Sequence, residues 1–247
     1  MGKPSVLISI QTAARTEAKA FGRRFMQMLI DENRSLVPEL VSTSERFKDP
    51  FVNLDHFIDH WWAIPIKSYM DDRIVGERFG GPMWKRKSTL ASRGMISHGV
   101  LDVKNERTPS RLWFESRYDA KVDFSRMFNG WVDLARPSIG MLHVFTEAEK
   151  VMLQNEAGSW FQSGSFGGPA KPGLPNMGWA MAYGGDYAAE VDVARIKDAG
   201  FPVREISNAI IVQITNSLSD VVDDFAFFLD RRAELKRHFR SELFWPE

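Results

Sequence analysis

The chain contains no cysteine in 247 residues. That excludes disulfides, a thiol nucleophile and every zinc site built on thiolates. It also lacks a charge excess: 32 basic and 32 acidic residues cancel to a formal net charge of zero. A general nucleic-acid binder carries a clear basic surplus, so none is expected here. No run of eighteen apolar residues occurs, so no membrane span and no membrane partner are expected. The opening Met1-Gly2-Lys3-Pro4 and the short Val6–Ile10 run are too brief for a signal peptide. The expected location is the cytoplasm.

What the chain does have is an ordinary globular balance, with 44% hydrophobic and 26% charged residues. Its length is ample to bury a core. Ser5–Ile10 alternates like a strand. Ala13–Asp31 places Ala14, Ala18, Phe21, Phe25 and Met28 at helical spacings of three and four. Asn53–Ala63 reads as a second helix, capped by Asn53 and stopped by Pro65. A strand near Ile96–Val103 precedes the polar run 105–110, a candidate linker.

In the second half, Leu112, Phe114 and Tyr118 alternate with Arg111, Glu115 and Arg117. Asp123 then caps a helix whose face is Phe124, Met127, Phe128, Trp131 and Ala135. Ile139–Phe145 is a strand, and Thr146-Glu147-Ala148-Glu149 is a capping box that opens another helix. Gly158–Gly178 reads as a long loop. Trp179–Tyr183 and Ala209–Ile214 are strands, with a short helix at Val191–Ala199 ended by Gly200. Ser219 caps the last helix, with Asp220, Asp223 and Asp224 early and Arg231, Arg232, Lys236 and Arg237 late, as the helix dipole favours. The expected architecture is α+β, in two mixed subdomains (residues 1–107 and 108–247) with helices packed on small, mostly antiparallel sheets.

The search for chemistry yields fragments. Asp55-His56 and Asp59-His60 share a helix face, but zinc needs a third ligand, so a solvated face is the plainer reading and no metal is expected. Asp102-Val103-Lys104 has the acid–x–lysine spacing of a magnesium-dependent nuclease, with Asp71 or Asp72 as a further acid. Such a triplet is common by chance, and this enzyme remains the alternative reading. Gly164-Ser165-Phe166-Gly167-Gly168 lacks the following helix and lysine of a phosphate loop. No cofactor and no catalytic residue is expected. His143 alternates with Met141 and Phe145, and reads as a satisfied, partly buried strand histidine.

The chain carries 18 Phe, 8 Trp and 4 Tyr, most of them on stripes where core packing accounts for them. Trp160, Phe161 and Phe166 fall in the Gly/Ser-rich stretch where no periodicity buries them. Aromatics exposed on a loop anchor protein interfaces, so these three are the expected partner-binding residues. Acidic clusters at Asp71-Asp72 and Glu190–Asp192 offer a second way to meet a basic partner.

The Trp131 helix is followed by Ala135-Arg136-Pro137-Ser138-Ile139-Gly140, which enters a strand. Later Pro175-Asn176-Met177-Gly178-Trp179 turns into a strand ending in Tyr183. Over residues 110 to 245 this succession resembles the immunity protein 52 family of bacterial polymorphic-toxin immunity proteins, a family that includes a type VI secretion immunity protein. The resemblance implies a cytoplasmic protein, not an enzyme, that neutralises a cognate toxin by direct contact. The toxin it implies is a nuclease of the restriction-endonuclease class.

Overall fold

The computed structural model describes residues 3–70, 73–101, 107–167 and 173–245, with 68–70 and 73–77 described by backbone alone. Asp71, Asp72, Asp102, Lys104 and Gly168 therefore lie outside the described residues. The strands are β1 (Ser5–Thr12), β2 (Leu40–Ser42), β3 (Asp49–Pro50), β4 (Ile64–Met70), β5 (Arg73–Gly80), β6 (Met83–Arg86), β7 (Ser92–Ser97), β8 (Ser110–Arg117), β9 (Ile139–Phe145), β10 (Ala180–Gly184), β11 (Val203–Ile206) and β12 (Ala209–Gln213). The helices are α1 (Lys19–Glu32), α2 (Leu54–His60), α3 (Phe124–Ala135), α4 (Glu147–Met152), α5 (Glu156–Gln162), α6 (Val193–Asp198), α7 (Asp220–Asp223) and α8 (Phe225–Lys236). None of the described helices is long and apolar enough to cross a membrane.

The fold is α+β, as the sequence predicts. Its sheets differ from the expectation in extent. Ten strands form one antiparallel sheet in the order β11-β12-β10-β9-β1-β8-β7-β6-β2-β3, and β4–β5 form a separate hairpin. Strand β1 lies inside the large sheet, paired with β8 on one side and β9 on the other. The sheet thus crosses the boundary expected at 107/108. Alternation shows which face a residue takes, but not which distant strand becomes its neighbour.

Register fixes two faces. Residues directly opposite across a pair of strands share a face. Trp84, Gly94, Phe114, Ile8 and Leu142 stand in one row across β6, β7, β8, β1 and β9. This first face is closed by α1, α2 and α3. Phe25 of α1 stacks on Trp131 of α3 with ring centroids 4.2 Å apart. The Trp131 indole N–H donates to the Phe25 carbonyl at 3.1 Å, and the Trp62 indole donates to the Thr16 carbonyl at 2.8 Å. Gly94 has no side chain because Trp84 lies where one would go: a Cβ there would fall 2.1 Å from the indole.

Local signals place most helices. Asp123 accepts from the Arg126 N–H, and Phe124, Met127, Phe128, Trp131 and Ala135 are all buried. Asn53 accepts from the His56 N–H and starts α2. Gly200 follows α6 at φ +79°, a conformation glycine adopts without strain. Two expectations shift. α1 begins at Lys19 rather than Ala13, because the Thr12 hydroxyl bonds the Ala135 carbonyl and accepts from the Ala14 N–H, which holds a turn there. The last helix is divided: Ser219 makes no side-chain cap, α7 ends after one turn, and Asp224 starts α8 by accepting from the Phe227 N–H.

Candidate functional site

The second face of the sheet carries the features of interest. Its rows contain Leu7 beside Glu115 and His143, Ser9 beside Trp113 and Met141, and Gln11 beside Arg111 and Ile139. Over β1, β9 and β10 this face is covered by α4, α5 and α8. Over β6, β7 and β8 it is an open groove.

Under the covered half, three titratable groups meet. Glu149 Oε2 lies 2.7 Å from His143 Nε2, and Arg232 Nη1 donates to Glu149 Oε1 at 2.6 Å. His143 and Glu149 are fully buried, and the Arg232 side chain is 8% exposed. The Trp179 N–H donates to His143 Nδ1 at 3.2 Å, so that nitrogen accepts and the ring proton sits on Nε2, facing the carboxylate. Burial pushes the Glu149 carboxyl up, but His143 and Arg232 outweigh it and hold the group below its ordinary value. Phe161 and Phe228 pack against the His143 ring at 5.1 and 5.6 Å. His143 Nε2, both Glu149 oxygens and Arg232 Nη1 are engaged with one another, which suits the network to locking α4 and α8 onto β9.

This network escaped sequence reasoning, although signals exist. Arg232 sits on the apolar stripe of α8, between Phe228 and Leu235, where a basic residue needs a buried acid. Glu149 belongs to the capping box, and only half of that box forms. Thr146 accepts from the Glu149 N–H at 3.2 Å, while the Glu149 carboxylate turns inward rather than back to the cap.

The three expected partner-binding aromatics are placed differently from one another. Trp160 and Phe161 lie on α5, not in a loop, because Asn155 caps that helix by accepting from the Gly158 N–H at 2.7 Å. Phe161 is 1% exposed, packed between His143 and Phe145, and is a core residue. Phe166 is half-buried against the same core. Trp160 alone is open, at 39%, with one edge against Trp245 at 5.4 Å. Nearby on α4, Val151 and Met152 are exposed.

The open half of this face is lined by alternate residues of three strands. Met83 stands opposite Met95 and Met95 opposite Trp113; Lys85 stands opposite Arg93 and Arg93 opposite Glu115. They enclose a groove of about 470 Å³ whose end is Ser163, the residue that closes α5. The Ser163 carbonyl accepts from Arg111 at 2.6 Å and from the Trp113 indole at 3.0 Å. Arg93 lies over the Trp113 ring at 5.0 Å and pairs with Glu115 at 2.6 Å. Burial pushes the Arg111 guanidinium below its ordinary value. On β8 the sequence shows this row of Arg111, Trp113 and Glu115, but not the partners on β6 and β7.

Of the two histidines on α2, His60 is exposed and His56 half-buried. His56 and His60 stack at 4.5 Å on α2, while Asp55 pairs with Arg23 and Asp59 with Lys19. Among the described residues no group of three or more metal-ligating side chains comes together.

The architecture and this two-part face define an α+β protein with one large half-covered antiparallel sheet. No protein-family model matches the chain, and no curated protein matches it in sequence. The resemblance to immunity protein 52 therefore rests on the quoted motifs alone. Among solved structures, the chain is similar in fold to the Pseudomonas aeruginosa T6SS protein PA0821, with a TM-score of 0.55 at 9% identity. The match covers 86% of this chain and 68% of that one.

Proposed function

We propose that this protein is a cytoplasmic immunity protein that binds a type VI-secreted effector and holds it inactive by direct contact, without catalysing a reaction itself. The observation that carries this reading is the fold shared with a type VI secretion system protein over most of the chain. The motifs of the family resemblance add support. The strand led by Pro137 is β9, and the turn from Pro175 to Trp179 leads into β10, its direct partner in the sheet. The buried His143–Glu149–Arg232 network fits it as well, because these groups hydrogen-bond one another between α4, α8 and β9, an arrangement suited to a structural lock. The effector expected from the resemblance is a nuclease of the restriction-endonuclease class. Trp160, exposed on α5, is the aromatic anchor for it.

The test is co-expression with a candidate effector taken from the genes that flank its own. The expected outcome is survival of the producing cell and co-purification of the two proteins. Cell death in the presence of the folded protein, with no complex recovered, would overturn the reading.

A further inference from the structure

The open groove on β6–β8 is unusual for a sheet face in water. Its floor is apolar where Met83, Met95 and Trp113 meet. Its polar groups are mainly cations. Arg93 is neutralised by Glu115, but Lys85 and Arg111 make no ion pair among the described residues. Lys85 lies only over the Phe47 ring, at 5.8 Å, and Arg111 only against the Ser163 carbonyl. Arg111 is thus partly withdrawn from water and has no carboxylate beside it. A cation in that position binds an anion more strongly than a fully solvated one does.

We propose that this groove is a docking site for an acidic, partly apolar segment of a protein partner, whose carboxylates meet Lys85 and Arg111 while its apolar side chains lie on Met83, Met95 and Trp113. This rests on the reading of the protein as one that binds another protein, and it names the chemistry the partner presents. The charge pattern selects a carboxylate-bearing peptide over a nucleic acid. Glu45 also lines the groove, so a continuous phosphate backbone would meet a carboxylate there, whereas a short peptide can place its own carboxylates away from it. The groove is short and flanked by apolar side chains, and its volume suits a few side chains. It also adjoins the C-terminal end of the helix that carries Trp160, so one partner can span both.

The chain's eight tryptophans allow a direct reading by 19F NMR of the full-length protein labelled with 5-fluorotryptophan. Trp113→Phe assigns the groove resonance. The probe is a capped hexapeptide of alternating Glu and Leu. Its saturable binding should shift the Trp113 resonance. The same peptide with Gln for Glu should bind at least fivefold more weakly, and Lys85→Met should weaken the acidic peptide by a similar factor without altering circular dichroism. Arg111→Lys, which keeps the charge but loses the planar fork, should weaken it as well. Three results would overturn the proposal: no saturable shift with the acidic peptide, equal binding of the Gln peptide, or tighter binding of hexathymidylate. A Trp113 shift that follows the protein's own concentration without peptide would assign the groove to a second copy and also overturn it. The peptide experiment uses no effector. Its failure alongside protection in co-expression would remove the groove and leave the immunity reading standing.

Discussion

At the scale of single residues, the Glu149 carboxylate is the group on which most depends. It is fully buried and neutralises Arg232, so removing its charge strands a guanidinium in the interior. Breaking a buried pair from one side costs about 3–5 kcal/mol. Glu149→Gln is therefore expected to lower the unfolding free energy obtained from urea titration by that amount at neutral pH. The pH dependence follows from the direction of the shift. The folded protein holds this carboxyl below its ordinary value, so the stabilisation is complete above that value. It is lost as the pH falls through the folded value. The wild type should lose stability in acid faster than the Glu149→Gln variant, and urea midpoints measured from neutral to acid pH check this. Equal acid sensitivity would show that Glu149 does not carry the linkage. Only part of the site is legible at this scale. The alternation of His143 shows that it belongs to a strand, yet its partners sit 6 and 83 residues from each other along the chain from Glu149, and no local spacing joins all three.

At the scale of elements, α5 separates two neighbouring aromatics by direction. Successive residues on a helix point about a quarter-turn apart, so Phe161 enters the core while Trp160 stays at the surface. Phe161→Ala should cost about 3–5 kcal/mol of stability. Trp160→Ala should cost only the contact with Trp245, about 0.5–1.5 kcal/mol, while weakening effector binding by at least about 1 kcal/mol. Chemical denaturation and calorimetric titration of the two variants check both halves; unchanged affinity in Trp160→Ala would remove α5 from the interface. The helix was hidden in the sequence because it is short and is followed by Gly-, Ser- and Pro-rich chain, which masks its Asn155 cap. By contrast α3 and β8 were plain, since each has an uninterrupted periodic face. The break before α8 was not, because Val221 and Phe225 keep helical spacing across it while Asp224 takes a non-helical φ of −141°.

At the scale of the whole molecule, β1 ties the two halves together. It gives hydrogen bonds to β8 on one edge and β9 on the other, and its Val6, Leu7, Ile8 and Ile10 are buried. A chain of residues 108–247 alone would leave both neighbours with an unpaired edge. Such a fragment is expected to show no cooperative thermal transition by circular dichroism, and to regain one when residues 1–107 are supplied. Cooperative melting of the fragment alone would support the two-subdomain division read from the sequence. That division rested on a polar run near residue 108, and such a run marks a connection without showing whether the strands on its two sides pair.

The central position of β1 also has a consequence for synthesis. Its apolar strand leaves the ribosome before either of its partners, and one of them ends at Phe145. At cellular rates of about 5–20 residues per second, Phe145 is added roughly 7–27 s after Thr12. Through that interval at least one edge of this sticky segment is unpaired, which makes it a natural client for a chaperone at the exit tunnel.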